Sequence, residues 1–271
     1  MLTYLTAGPA LEGSHAVLLL HAFPLSAEMW KAQIAALATA GYRVVAPNAY
    51  GIEGSEERGE WDFTAYAHGL AALLDSLDIK KATVAGLSMG GYQAFEFWRL
   101  YPERTASLVL CDTRAEGDQP AAQANREEFI AAVETLGATE ASRRMMPNYF
   151  AAKTYIERPE LAQEASEMIE KQPPAVINAA MRAIMTRPDS SPLLGIIRCP
   201  VLVLNGAEDR LTTPETAAAI SDRIPHAKLL LLQEAGHISN LESPEAFNRA
   251  LLQHLENVSF DKLFHPLSAV N

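Results

Sequence analysis

The stretch Ala82-Thr83-Val84-Ala85-Gly86-Leu87-Ser88-Met89-Gly90-Gly91 constrains this chain more than any other. A short apolar run ends in Gly-x-Ser-x-Gly, and a helical pattern follows at once. That is the layout of a nucleophile elbow, a tight strand-to-helix turn that lifts its serine to the tip of a sheet. Bulky flanking side chains would block the turn, which accounts for Gly86 and Gly90. The five-residue pattern alone arises by chance among small residues. Its position between strand and helix gives it weight over the competing reading, a turn serine with a structural role only.

The rest of the chain supplies a sheet around that turn. Leu2 to Thr6 suits an edge strand. Ala16-Val17-Leu18-Leu19-Leu20 is a continuous apolar run, as expected of a strand buried on both faces. It leads into His21-Ala22-Phe23-Pro24. Ser26 then caps a helix with Trp30, Ile34 and Leu37, closed by Gly41. Arg43 to Pro47 is the next strand, and a Gly- and Glu-rich loop spans Asn48 to Glu60. A helix from about Phe63 places Phe63, Tyr66, Leu70, Leu73 and Leu77 on one face. After the elbow come a helix to Tyr101 and a strand at Ser107 to Cys111. Apolar strands alternating with helices predict an α/β fold with a mostly parallel central sheet flanked by helices.

From about Thr113 to Leu194 the rhythm breaks into helical patterns alone: Ala121 to Leu136, Thr139 to Asn148, Pro159 to Lys171 and Pro173 to Thr186. This reads as an inserted helical cap of four helices, residues 113–194, in a core domain of residues 1–112 and 195–257. Met145, Met146, Tyr149, Phe150 and Met185 are candidates to line an adaptable apolar substrate pocket, with ordinary cap packing as the alternative. The sheet resumes at Pro200 to Leu204 and Lys228 to Leu232. Thr213-Pro214 and Ser243-Pro244 each open a helix with proline in its first turn, the second running to about Glu256. The tail, residues 258–271, carries Phe260, Leu263, Phe264 and Leu267 and is expected to dock on the domain or on a second subunit, as in a homodimer.

A chain of 271 residues that is 49% hydrophobic can bury one large core. No run of about 20 apolar residues is present, so no membrane span is expected, and Met1-Leu2-Thr3-Tyr4 lacks the basic-then-apolar start of a signal peptide. The two cysteines, Cys111 and Cys199, adjoin apolar strands and read as buried free thiols in a reducing, cytoplasmic compartment. A net charge of -11 disfavours nucleic acid as a partner. There are no internal repeats, no Gly-rich phosphate loop and no zinc-spaced cluster, so neither metal nor cofactor is expected.

A serine hydroxyl needs a base to become a nucleophile. Of the 7 histidines, His15, His21, His68, His226, His237, His254 and His265, His68 and His254 fall inside helical patterns and His226 lies before a strand, whereas His237 follows the strand Lys228 to Leu232 in a loop at the C-terminal sheet edge, where ligands and catalytic groups of open α/β sheets gather. The base in turn needs an acid. Asp209 follows the strand Val201 to Leu204 and completes the chain order Ser, Asp, His. Asp112, at the end of the strand Ser107 to Cys111, is the alternative acid, and neighbouring Glu208 suits a solvated loop charge. Two donors are needed for an oxyanion, and the backbone N–H groups of Met89 and Phe23 are the candidates. His21 reads as a structural residue that supports the Phe23 loop.

With these pieces in order, the chain resembles the α/β-hydrolase superfamily. The resemblance rests on His21-Ala22-Phe23-Pro24, Gly86-Leu87-Ser88-Met89-Gly90-Gly91, Asn205-Gly206-Ala207-Glu208-Asp209, Ala235-Gly236-His237 and Tyr101-Pro102-Glu103-Arg104. Cys111-Asp112-Thr113-Arg114-Ala115 and the cap make it most similar to cofactor-free bacterial esterases and lactonases of the 3-oxoadipate enol-lactonase type. One stretch departs from the pattern. Where the family often has Asp-x-Arg-Gly after the third strand, this chain has Asn48-Ala49-Tyr50-Gly51. The resemblance implies an α/β-hydrolase fold and acyl transfer from a small-molecule ester or lactone to water. A dehalogenase or epoxide hydrolase would require Asp at position 88. A perhydrolase, or a C–C bond hydrolase using Arg114, Arg126, Arg143 or Arg144 for a carboxylated substrate, would share the same triad. A small-molecule receptor with little turnover is the reading outside enzymology.

Overall fold

A computed structural model describes residues 1–10 and 16–264, with side chains to position 258. Seven strands form one sheet in the order β1-β3-β2-β4-β5-β6-β7. They are β1 (Tyr4–Ala7), β2 (Ala16–Leu20), β3 (Arg43–Pro47), β4 (Ala82–Leu87), β5 (Thr105–Cys111), β6 (Val201–Gly206) and β7 (Lys228–Leu232). Only β1 runs antiparallel, paired with β3. Among the described residues α1 (Lys31–Thr39), α2 (Phe63–Ser76), α3 (Met89–Leu100), α9 (Pro214–Arg223) and α11 (Pro244–Phe264) accompany the strands.

The central strands are buried along their whole length, every residue of β2, β4 and β6 included. A fully buried Leu or Val contributes roughly 1.5–3 kcal/mol relative to an exposed one, so the apolar runs Val17 to Leu20 and Val201 to Leu204 anchor the sheet. Helix α2 starts where Asp62 Oδ1 accepts from Ala65 N–H at 2.7 Å and turns Phe63, Tyr66, Leu70, Leu73 and Leu74 inward. Strand β7 departs from its sequence pattern. Its leucine run suggests two buried faces, yet β7 is the sheet edge, and Leu229 and Leu230 remain 37% and 43% exposed.

Between β5 and β6 lie α4 (Pro120–Leu136), α5 (Ala138–Met145), α6 (Ala152–Glu157), α7 (Pro159–Glu170) and α8 (Pro174–Met185). This helical insertion therefore has five α-helices rather than the four expected. The added one, α6, is six residues long, too short to show an apolar period. The last helix also continues past Glu256 to Phe264, so no break falls at position 258. The docking expected of Phe260, Leu263, Phe264 and Leu267 lies outside the described side chains, as do His15 and His265. Among the described residues no helix is long and apolar enough to cross a membrane.

Candidate active site

The register of the parallel strands gathers their C-terminal ends. Leu20 pairs with Gly86, and Leu87 with Cys111, so the loops after β2, β4, β5, β6 and β7 open on one edge. Ser88 is the first residue beyond β4, with φ 55° and ψ -112°. A non-glycine residue held there is strained by about 1–3 kcal/mol and persists because its surroundings over-determine it. Those surroundings are visible: Ser88 N–H donates to Cys111 O at 2.9 Å, and Ser88 O accepts from the Thr113 hydroxyl at 2.8 Å. A Cβ at Gly86 would lie 2.0 Å from Gly90 O, and one at Gly90 would lie 2.1 Å from Leu20 O. Only glycine lets strand, turn and helix approach this closely.

The side chains selected by chain order meet here. His237 Nε2 lies 2.9 Å from Ser88 Oγ, and His237 Nδ1 lies 2.9 Å from Asp209 Oδ2. Asp209 and His237 are buried, whereas Ser88 is half-buried. Asp209 Oδ1 accepts from the N–H groups of Leu211 (2.8 Å) and Thr212 (3.0 Å), and Oδ2 from the Thr212 hydroxyl at 2.5 Å. Burial opposes ionisation of Asp209, but the charge and hydrogen bond of His237 and the bonds from Thr212 outweigh it and hold the carboxyl below the usual range. Thr212 also sits 3.2 Å from His237 Nδ1. Residue type alone does not single out Thr212, although Asp-x-x-Thr is a recognisable local turn in which Asp bonds the backbone just downstream.

Asp112, the alternative acid, is fully buried but turned elsewhere. Its Oδ1 accepts from Gly206 N–H at 2.7 Å and its Oδ2 from the Ser239 hydroxyl at 2.5 Å. Burial, and then the charge of Asp209, push its carboxyl well above the usual range. Glu208 is exposed.

Met89 opens α3, so its N–H is one of the four at a helix start that have no partner within the helix. Phe23 packs edge-on against Phe129 of α4, with centroids 6.0 Å apart. His21 braces this loop: its Nε2 accepts from Ala49 N–H at 2.9 Å, which leaves the proton on Nδ1, 2.9 Å from Ala22 O. Burial depresses its pKa to about 4. An unfolded His21 takes up a proton below about pH 6.5 while the folded one does not, so stability should fall as pH drops from 6.5 towards 4, by about 3 kcal/mol in all. Urea midpoints at pH 7 and pH 4.5 check this, and His21→Gln should flatten that difference.

The pocket candidates separate. Tyr149 is fully buried; its hydroxyl donates to Phe23 O, and its ring lies 6.1 Å from that of His237. Phe150 is buried beside Tyr155, while Met145 and Met146 are half-buried against the core. Met185 lines a separate surface cavity of about 520 Å³ with Trp61, Ala65 and Arg182. All four candidate cations have protein partners: Arg114 donates to Leu211 O, Arg126 pairs with Asp118, and Arg143 and Arg144 pair with Glu140. Cys111 is buried but Cys199 is half-buried, because it lies on the approach to β6 rather than within it; both are free. Among the described residues no group of three or more His, Cys, Asp or Glu could hold a metal ion.

A family model for the alpha/beta hydrolase family matches residues 17–250. The chain belongs to that family. It is 34% identical over 181 residues to the 3-oxoadipate enol-lactonase 2 of Acinetobacter baylyi, which covers 66% of each chain. It is 29% identical over 256 residues to the 2-hydroxy-6-oxo-6-phenylhexa-2,4-dienoate hydrolase of Burkholderia cepacia, across 89% of this chain and 88% of that one. A thermophilic esterase from Thermogutta terrifontis, solved with malate bound, superimposes with a TM-score of 0.90 at 36% identity, over 95% of this chain and 93% of the esterase. This family member is thus an enzyme of the hydrolase type.

Proposed function

We propose that this hydrolase cleaves carboxylic esters or lactones of small molecules through a Ser88–His237–Asp209 triad and an acyl-enzyme. One observation carries the reading: the unbroken hydrogen-bonded line from Ser88 Oγ through both nitrogens of His237 to Asp209, each step 2.9 Å. His237 Nε2 takes the Ser88 proton as Oγ attacks the carbonyl. Asp209 holds the imidazole with its proton on Nδ1 and stabilises the imidazolium that forms. The N–H groups of Met89 and Phe23 receive the oxyanion. His237 then gives its proton to the leaving oxygen, takes one from a water whose oxygen bonds to the acyl carbon, and returns it to Oγ as the bond from that carbon to Ser88 breaks and the acid leaves. The enol-lactonase and esterase relatives support this choice of substrates. The helical insertion acts as the cap, and Met145, Met146, Tyr149 and Phe150 bound its inner side.

Carbon–carbon bond cleavage is a second reading, favoured by the Burkholderia cepacia relative. The pairing of Arg126 with Asp118 and of Arg143 and Arg144 with Glu140 weighs against it, because those three charges are already matched by carboxylates, which leaves Arg114, bonded to the Leu211 carbonyl, to meet a substrate carboxylate. A panel of p-nitrophenyl esters, γ- and δ-lactones, enol-lactones and a dienoate meta-cleavage product tests the choice, with hydrogen peroxide added in parallel for perhydrolysis. Ester or lactone turnover with a transient acyl adduct on Ser88 is expected. Turnover of the dienoate alone would overturn the assignment, and tight binding without turnover would make the protein a receptor.

A further inference from the structure

His237 follows Ala235 and Gly236 in the loop after β7, a stretch with little side-chain bulk to hold it in place. The anchor comes from Glu242, the last residue of the short helix α10 (Ser239–Glu242). Its carboxylate is buried and faces three donors. Oε2 accepts from Gly236 N–H at 2.5 Å, while Oε1 accepts from Ala151 N–H at 2.8 Å and from the Thr154 hydroxyl at 2.6 Å. Burial pushes this carboxyl above the usual range, opposed by those three bonds and by Arg158. All three partners donate, so the ionised form is the one that satisfies the site.

One side chain therefore ties the residue before His237 to the start of α6 in the helical insertion. The residue after His237 is tied to the same segment, because Ile238 N–H donates to Tyr149 O at 3.0 Å. The Tyr149 hydroxyl continues the tie to Phe23 O. The contact is tight on both sides: a Cβ at Gly236 would lie 2.7 Å from Ala151 N and from Phe150 C.

We infer that Glu242 is a positioning residue for His237, setting the base loop against the 149–154 segment so that the imidazole stays in line between Ser88 and Asp209. This rests on the triad reading above. Glu242 touches no reacting atom and acts through Gly236 and the insertion.

Glu242→Gln tests it. The amide keeps the shape but turns a donor toward one of the sites that needs an acceptor, so either the Gly236 side or the Ala151 side is lost. A misplacement of about 1 Å costs roughly 10²-fold in rate. The expected result for p-nitrophenyl acetate is a kcat lowered about 10- to 100-fold with KM within about twofold. The rate at which diethyl p-nitrophenyl phosphate modifies Ser88 should fall by the same factor, with the circular dichroism unchanged. A residue that only stabilises the fold would lower the melting temperature and leave both rates of the folded enzyme alone, and that outcome overturns the inference. Should Glu242→Gln fail to fold, Glu242→Asp, which keeps the charge and shortens the reach, is read in the same two assays. Wild-type rates there overturn it equally. A wild-type enzyme that neither turns over the ester nor reacts with the phosphate would overturn the triad reading itself, a result distinct from an active wild type and an unaffected variant.

Discussion

Ser88→Ala is expected to lower kcat for p-nitrophenyl acetate on the order of 10⁴- to 10⁶-fold. The substitution removes the one oxygen placed 2.9 Å from His237 Nε2. It leaves the turn intact, because Ser88 is held through its backbone, by N–H to Cys111 O and by its carbonyl to Gly91 N–H and the Thr113 hydroxyl. The melting temperature should therefore stay close to that of the wild type. Residual hydrolysis, from the Met89 and Phe23 N–H groups and from bound water, should show no burst and no acyl adduct in the mass spectrum. Wild-type turnover by this variant would remove Ser88 from the reaction.

Asp209→Asn should lower kcat by about 10⁴-fold, the loss that follows when the partner imidazole takes the wrong tautomer. Oδ2 of Asp209 now accepts from both Thr212 Oγ1 and His237 Nδ1. An asparagine whose amide nitrogen takes that place becomes a donor to Nδ1. The imidazole proton then moves to Nε2, which can no longer accept from Ser88. The matched control is Asp112→Asn. Asp112 accepts from Gly206 and Ser239 and makes no bond to His237, so its replacement should cost stability far more than kcat. A larger kcat loss at position 112 than at position 209 would exchange their roles.

The fold was legible because the two strongest local signals agree with it. Apolar runs such as Val17 to Leu20 form central strands, and the Thr213-Pro214 and Ser243-Pro244 pairs mark helix starts where helices begin. Local pattern carries no tertiary information elsewhere in the chain. Helix α6 is shorter than two turns. The β7 leucines look like those of a central strand, since composition does not say which strand is last in the sheet. Thr212 and Glu242 are polar residues whose importance lies in what they bond, Asp209 in one case and Gly236, Ala151 and Thr154 in the other.

By itself, then, the sequence determined the parallel α/β architecture and the order of Ser88, Asp209 and His237 beyond the ends of β4, β6 and β7, because strand, turn and glycine requirements act between near neighbours in the chain. Only the tertiary structure decided that Asp209 rather than Asp112 meets His237, that Tyr149 braces the Phe23 loop, and that Glu242 joins the base loop to the insertion. Apart from the Glu242–Gly236 bond, those contacts link residues from 28 to 126 positions apart, and such distances are closed by the packing of the whole sheet and its helices rather than by any local rule.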